Sequence, residues 1–139
     1  MLATLINHPW AYPALEVVHI TGIALLLGNL VLFELRVWGA APGLPLLALA
    51  RLALPLSLAG FGLAAASGLL MFASQPQELL ANRAFLIKLV LLMAAGSNAA
   101  LFHARGGLQK LDRWARWQTA LSLGLWLLVI IAGRSIAYV

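Results

Sequence analysis

A histidine stands near the start of a long apolar stretch, in EVVHITGIALLLG at residues 16–28. An ionisable side chain within a membrane span costs about 2.5 to 3.5 kcal/mol, so it marks a functional site by default. A neutral imidazole offers one nitrogen lone pair to a metal, and its other nitrogen needs an acceptor that fixes the tautomer. Glu16, three residues before His19, is either within reach for that role or an interface residue. His19 is therefore predicted to bind a cofactor, and a proton or ion relay and a structural hydrogen bond between helices stay open as alternatives.

Further side chains at similar depth in the apolar stretches suit the same cofactor. A rise of about 1.5 Å per residue puts Lys88, Arg134 and Met71 at the same end of their stretches as His19. Two cations beside an apolar slot suit the carboxylates of a porphyrin or the headgroup of a quinol, although both side chains can also reach the lipid headgroups. The Met71 thioether is either a ligand or core filling. Gly22, one turn after His19, either brings two backbones together or leaves room for a flat group.

The other two histidines lie elsewhere in the chain. His103 is near the opposite end of the third apolar stretch, about 20 Å from the depth of Lys88 by the same rise, so one cofactor cannot bind both His19 and His103. It is either an interfacial residue or a second ligand. His8 precedes the first stretch and either faces solvent or serves as a second axial ligand. A second polar group is predicted near the depth of His103, and its members are Glu34, Arg36 and Asn98.

Four apolar stretches of membrane-spanning length carry these residues. The 139 residues are 63% hydrophobic and only 9% charged, whereas the apolar share of a soluble domain is usually about half or less. About 20 residues cross the hydrocarbon, which predicts helices at 13–36, 52–73, 84–104 and 118–138. Backbone groups in lipid are satisfied only in helices or closed barrels, and unbroken runs of this length exclude barrel strands. The sequence predicts one domain over 1–139, an all-α integral membrane four-helix bundle with up-down-up-down topology.

The loops predict how the spans are oriented. The first loop carries Arg36 and Arg51, the second balances Glu78 against Arg83, and the third holds four basic residues against Asp112. The positive-inside rule puts the first and third loops in the cytoplasm and both termini on the other side. MLATLINHPW has no basic residue ahead of the apolar stretch, so no removable signal peptide is predicted. Pro55 is expected near the start of the second helix, where a missing N–H is tolerated.

Composition excludes several classes of function. The chain has no cysteine, which rules out disulfides, thiolate-bound iron–sulfur clusters, covalently attached c-type haem and thiolate metal sites. The net charge is +5, but the basic residues flank the spans, so the predicted partners are lipid headgroups and not nucleic acid. Glycine-rich phosphate loops and HExxH motifs do not occur in the sequence.

Three segments resemble a family of small bacterial four-helix membrane proteins: HITGIALLLGNLVLFELRVWG, NRAFLIKLVLLMAAGSNAALFH and SLGLWLLVIIAGRSIAYV. This family is distantly similar to the membrane domain of the copper-resistance protein CopD and to HemJ-type protoporphyrinogen oxidases. The resemblance covers nearly the whole chain. It implies that His19 matches the haem-ligand or redox-site histidine, Lys88 the third-helix lysine and Arg134 the GR of the last helix. It also implies a bacterial inner membrane, in which the orientation given by the positive-inside rule puts both termini in the periplasm.

The leading hypothesis is a b-type haem protein that transfers electrons or oxidises a quinol or another small membrane-soluble reductant. His19 is the predicted axial ligand, and Lys88 and Arg134 are predicted to steady the propionates. One haem is expected, a second at His103 stays open, and the sixth ligand is Met71, His8, a lysine or none. Whether the protein is an enzyme is left open. The alternatives are a copper or proton transport component, since imidazole and thioether suit Cu(I), and a structural subunit that meets a partner or a second copy within the membrane.

Overall fold

The computed structural model describes Thr4 and residues 7–138, and this part of the chain is helical without a strand. Its helices are α1 (Ala11–Val37), α2 (Leu46–Ser74), α3 (Pro76–Leu80), α4 (Arg83–Ala104), α5 (Gly107–Lys110) and α6 (Arg113–Ser135), followed by a 3₁₀ turn at Ile136–Tyr138. Four of these helices, α1, α2, α4 and α6, are long and apolar enough to cross a membrane. The predicted fold class, all-α with four membrane-length helices, is confirmed.

The second helix begins earlier than predicted, and the expected position of Pro55 is wrong. Helix α2 starts at Leu46, directly after Pro45, which has an extended backbone with φ −62° and ψ 121°. Pro55 therefore lies inside the helix, where its ring leaves the carbonyl four residues earlier without an intrahelical donor. Proline is tolerated inside membrane helices because neighbouring groups satisfy the released carbonyl.

The helix predicted at 118–138, which is α6, also begins earlier than predicted, at Arg113. The Asp112 carboxylate accepts a hydrogen bond from the Ala115 N–H at 2.9 Å, which is the usual role of an aspartate at a helix N-cap. The first turn of α6 is basic and aromatic, so apolarity alone did not reveal it. Asn82 caps α4 in the same way, through a 3.2 Å bond from the Phe85 N–H.

The chain divides into two compact units, and α1 runs from the first into the second. Unit one comprises Met1–Phe33 and Pro45–Leu79. In this unit α1 and α2 are antiparallel, because Gly22 lies against Gly60 and, further along α1, the Leu26 carbonyl accepts a 3.4 Å bond from Ser57. The buried face of α2 consists of small residues at alternating spacings of three and four: Ala50, Ala53, Ser57, Gly60, Ala64 and Ser67. Such a row lets two helices approach closely.

Unit two comprises Glu34–Leu44 and Leu80–Val139. In this unit α4 and α6 are antiparallel, because the Asn82 amide near the start of α4 donates to the Ile136 carbonyl at 2.9 Å. Near the other end of α4, the Asn98 amide donates to the Gln118 carbonyl at 2.7 Å. The Trp38 indole N–H, just after α1, donates to the Thr119 hydroxyl at 2.7 Å. Polar side chains therefore join the elements of this unit at both ends.

Candidate functional site

His19 lies one helical turn from a close approach of α1 and α2. A Cβ built on Gly22 would be 2.6 Å from the Gly60 carbonyl oxygen and 2.7 Å from the Ala64 nitrogen. The two backbones are therefore too close at Gly22 to admit a Cβ atom between them without moving apart. The small residues of α2 that face this point, Gly60, Ala64 and Ser67, are all buried.

The His19 imidazole is held by α2 through its Nδ1 atom. Nδ1 lies 2.8 Å from the Ala64 carbonyl oxygen and 3.1 Å from the Ser67 hydroxyl oxygen. The Ser67 hydroxyl is 2.7 Å from the Leu63 carbonyl, to which it donates. A Cβ on Gly68 would be 3.4 Å from Cε1 of the ring, so the absence of a larger side chain there leaves space for the imidazole.

These contacts fix the tautomer of His19. A carbonyl oxygen only accepts hydrogen bonds, so the proton of the neutral ring is on Nδ1 and the lone pair is on Nε2. An imidazole held through Nδ1–H to a backbone carbonyl is the usual arrangement of a histidine that binds a metal through Nε2. His8 has the opposite arrangement, because its Nδ1 accepts a 3.2 Å bond from the Trp10 N–H. In that neutral form the proton of His8 is on Nε2, and its role as a second axial ligand stays a prediction.

Of the two roles considered for Glu16, the structure does not show that of acceptor at His19 Nδ1. Glu16 is exposed, and the Ala64 carbonyl takes the role proposed for its carboxylate. Sequence inspection missed Ala64 because a backbone carbonyl has no side-chain signature.

Gly22 and Met71 belong to the same unit as His19. Of the two interpretations for Gly22, the structure supports close contact, because α2 occupies the space beside it. A flat group does not fit between α1 and α2 at that level. Met71 is one turn beyond Ser67 and half-buried, which agrees with its position near the end of the buried face of α2. A cofactor contact by either residue stays a prediction.

Lys88 lies on α4 in unit two and faces α6. A Cβ built on Gly133 would be 3.4 Å from the lysine Nζ and 3.7 Å from Cδ, so the side chain extends along the glycine. Lys88 makes no ion pair within the described part of the chain. An ammonium on an apolar helix pair without a carboxylate partner suits an anionic group of a ligand.

Arg134 follows Gly133 on α6 but has a different environment. Its side chain is exposed, its Nη2 donates to the Tyr138 hydroxyl at 2.9 Å, and its Cζ lies 5.1 Å from the centre of the tyrosine ring. The guanidinium therefore lies beside Tyr138, one turn further along the chain. The predicted convergence of His19 with Lys88 and Arg134 joins residues of the two units and stays a prediction.

His103 is exposed at the end of α4, and its ring stands edge to face against Phe102 at 5.1 Å. Its assignment as an interfacial residue or as a second ligand stays a prediction. In the polar group predicted near its depth, Glu34 is the acidic residue that is buried. Within the described residues, no three side chains of the types His, Cys, Asp and Glu come together as a metal site.

Comparison with protein-family models, with curated protein sequences and with solved structures gives no match to this chain.

Proposed function

We propose that the protein is a b-type haem redox protein of a bacterial inner membrane, with His19 as an axial ligand. The observation that carries the proposal is the 2.8 Å contact between His19 Nδ1 and the Ala64 carbonyl. It puts the lone pair of the ring on Nε2 and fixes the direction of the imidazole before any ligand arrives. A bound haem would supply one-electron chemistry, suited to electron transfer or to oxidation of a quinol.

The residues around His19 fit an axial ligand. The Ala64 carbonyl makes the imidazole a stronger donor, as acceptors behind metal-binding histidines do. The half-buried position of the ring limits water around it, and Gly68 leaves it room. In unit two, Lys88 offers an ammonium with no carboxylate partner in the described residues, which suits a propionate. Met71 is the proposed thioether partner in unit one.

The proposal includes the orientation of the chain. Its basic first and third loops would lie in the cytoplasm and both termini in the periplasm. Lipid contacts the four apolar helices, whose outward residues are mostly large and hydrophobic. A quinol in the membrane, a second copy of the chain or a partner subunit would complete the electron path.

The first experiment is an absorption spectrum of the purified protein in detergent, oxidised and then reduced with dithionite, with pyridine haemochrome quantitation. The proposal expects a reduced α-band and about one haem per chain. His19→Ala should lose the haem, whereas His103→Ala, an exposed histidine on α4, should keep it. A full Soret band in His19→Ala would remove the assignment of His19.

A graded pair at Gly68 tests the ring position without changing a donor atom. Gly68→Ala puts its Cβ at 3.4 Å from the ring, an ordinary contact, so haem content should stay unchanged. Gly68→Leu requires space that the imidazole occupies and should lower haem content. If protein made in haem-replete cells is colourless and binds Cu(I) saturably, the copper alternative replaces haem.

A further inference from the structure

Glu34 is a deeply buried acidic residue, and the haem proposal does not use it. Its exposed fraction is 2%, and its Oε2 is a buried oxygen without a hydrogen-bond partner among the described residues. It lies one turn before the end of α1, inside a helix of membrane-spanning length. A carboxylate buried without a partner costs several kcal/mol, so such a group is retained for a function by default.

The groups around Glu34 do not compensate a negative charge. The Ser122 side chain on α6 is its hydrogen-bonding neighbour. The ion pair of unit two joins Arg105 to Asp112 and not to Glu34. Arg36, two residues further along α1, turns its Nε to the Leu44 carbonyl at 2.7 Å.

Other cations of the helices lie away from Glu34 or are exposed. The Lys88 side chain extends along Gly133, which by helical rise is about 16 Å along α6 from Ser122. The charged residue of α2, Arg51, is exposed, and so are Arg113 and Arg116 at the start of α6. On α4 the buried polar residue is Asn98, which is neutral and donates to the Gln118 carbonyl. Burial without an opposite charge leaves the neutral acid as the stable form of Glu34.

Two residues with hydroxyl groups, Ser122 and Thr119, lie between the level of Glu34 and the start of α6. Ser122 and Thr119 are three residues apart and therefore on one side of this helix. Thr119 is buried, accepts the Trp38 indole N–H at 2.7 Å and lies 2.9 Å from the Arg116 carbonyl. By helical rise, Ser122 is about 14 Å and Thr119 about 9 Å from the first residue of α6. Trp38, which is partly exposed, is bonded to Thr119, the hydroxyl residue nearer to the start of α6.

We propose that Glu34 is a proton-binding site that exchanges with water at the start of α6 through Ser122 and Thr119. The carboxylic O–H bond breaks, the proton passes to water and a carboxylate remains; the reverse step restores the acid, and no electron moves. The hydroxyls relay the proton by donating one and accepting another, and the Trp38–Thr119 bond closes the route between exchanges. This site does not depend on haem, so it stands or falls separately from the proposed function.

Infrared spectroscopy of the full-length protein in lipid vesicles tests the protonation state. Wild type at neutral pH should show the carbonyl band of a protonated carboxylic acid, and Glu34→Gln should lack it. Glu78→Gln, at an exposed position, should keep it. The band should decrease at alkaline pH while the helical amide bands are unchanged. A wild type without the band, or a band that persists until the helices unfold, would overturn the proposal.

Two further measurements do not depend on the folding of Glu34→Gln. In the wild type, an apolar carbodiimide should modify Glu34 faster at neutral than at alkaline pH, as read by peptide mass spectrometry; no modification of Glu34 would contradict the neutral acid. Transfer to D₂O should shift the carbonyl band, and Ser122→Ala should slow that shift about tenfold, equivalent to about 1.4 kcal/mol in the barrier. An unchanged rate would exclude the hydroxyl route.

Discussion

Replacement of Gly22 by alanine should separate α1 from α2 and destabilise unit one. The added Cβ would lie 2.6 Å from the Gly60 oxygen, where ordinary contacts begin at 3.4 Å, so the backbones must separate by about 0.8 Å. The atoms it meets belong to the backbone and cannot rotate away. The His19 Nδ1–Ala64 bond, 2.8 Å long, is one turn away and would be stretched beyond hydrogen-bond range by the same movement.

The magnitude follows from a comparison with a second glycine of the same helix. Overpacking costs about 1–3 kcal/mol, whereas alanine in place of a helical glycine stabilises the helix by about 1 kcal/mol. Gly28 has nothing within 4 Å of a built Cβ. Gly28→Ala should therefore gain the stabilisation from the higher helix propensity of alanine without any cost of overpacking. The free energy of unfolding of Gly22→Ala should therefore be lower than that of Gly28→Ala by the overpacking term, about 1–3 kcal/mol.

The assay is unfolding of the detergent-solubilised protein by increasing mole fraction of dodecyl sulfate, followed by circular dichroism. Gly60→Ala should resemble Gly22→Ala, because its Cβ would be 2.6 Å from both the Gly22 oxygen and the Leu26 nitrogen. Gly62→Ala, which meets nothing within 4 Å, is its control on α2. If Gly22→Ala and Gly28→Ala have equal free energies of unfolding, the close approach of α1 and α2 is refuted.

Two predictions concern unit two. Trp38→Phe removes the indole donor from the 2.7 Å bond to Thr119 and should lower the free energy of unfolding by about 0.5–1.5 kcal/mol, measured by the same titration; an unchanged midpoint would contradict it. The Arg105 guanidinium and then the Ala115 N–H hold the pKa of Asp112 below its usual range. Since the folded-state value is the lower one, this stabilisation is complete above the ordinary aspartate pKa of about 4 and is lost as the pH falls through the folded-state value. Asp112→Asn should remove that part of the acid dependence of thermal unfolding, whereas Glu78→Gln should not.

Sequence inspection identified His19 but not the atom that orients it. The chemistry of an imidazole in an apolar run is evident from residue types, whereas the identity of its acceptor depends on how α1 and α2 are aligned. Glu16, an acidic residue three positions before His19, was one expectation. The Ala64 carbonyl occupies that position instead, 45 residues away, and nothing in the residue type distinguishes it from other alanines.

Glu34 and His103 are at similar predicted depths along their helices. Their burial in the folded protein distinguishes them. A helix in lipid is apolar on every side, so periodicity does not reveal which face is covered by another helix. Glu34 is 2% exposed, whereas His103 is exposed. Residue type alone favours the histidine as a functional residue, but burial favours Glu34. The position of Pro55 inside α2 also could not be predicted from local sequence. A proline is tolerated within a membrane helix wherever neighbouring groups satisfy the released carbonyl.

The amino-acid sequence by itself determined that the chain has four long apolar helices and no thiol chemistry. Both conclusions follow from local quantities, namely the length of apolar chain needed to cross hydrocarbon and the absence of cysteine. Tertiary structure decided which polar groups meet. The proton of His19 is on Nδ1 because α2 presents a carbonyl there, and Glu34 is buried beside Ser122 because α6 covers that side of α1. These contacts join residues that are far apart in the sequence. They depend on how separate helices are aligned, which no local stretch of sequence specifies.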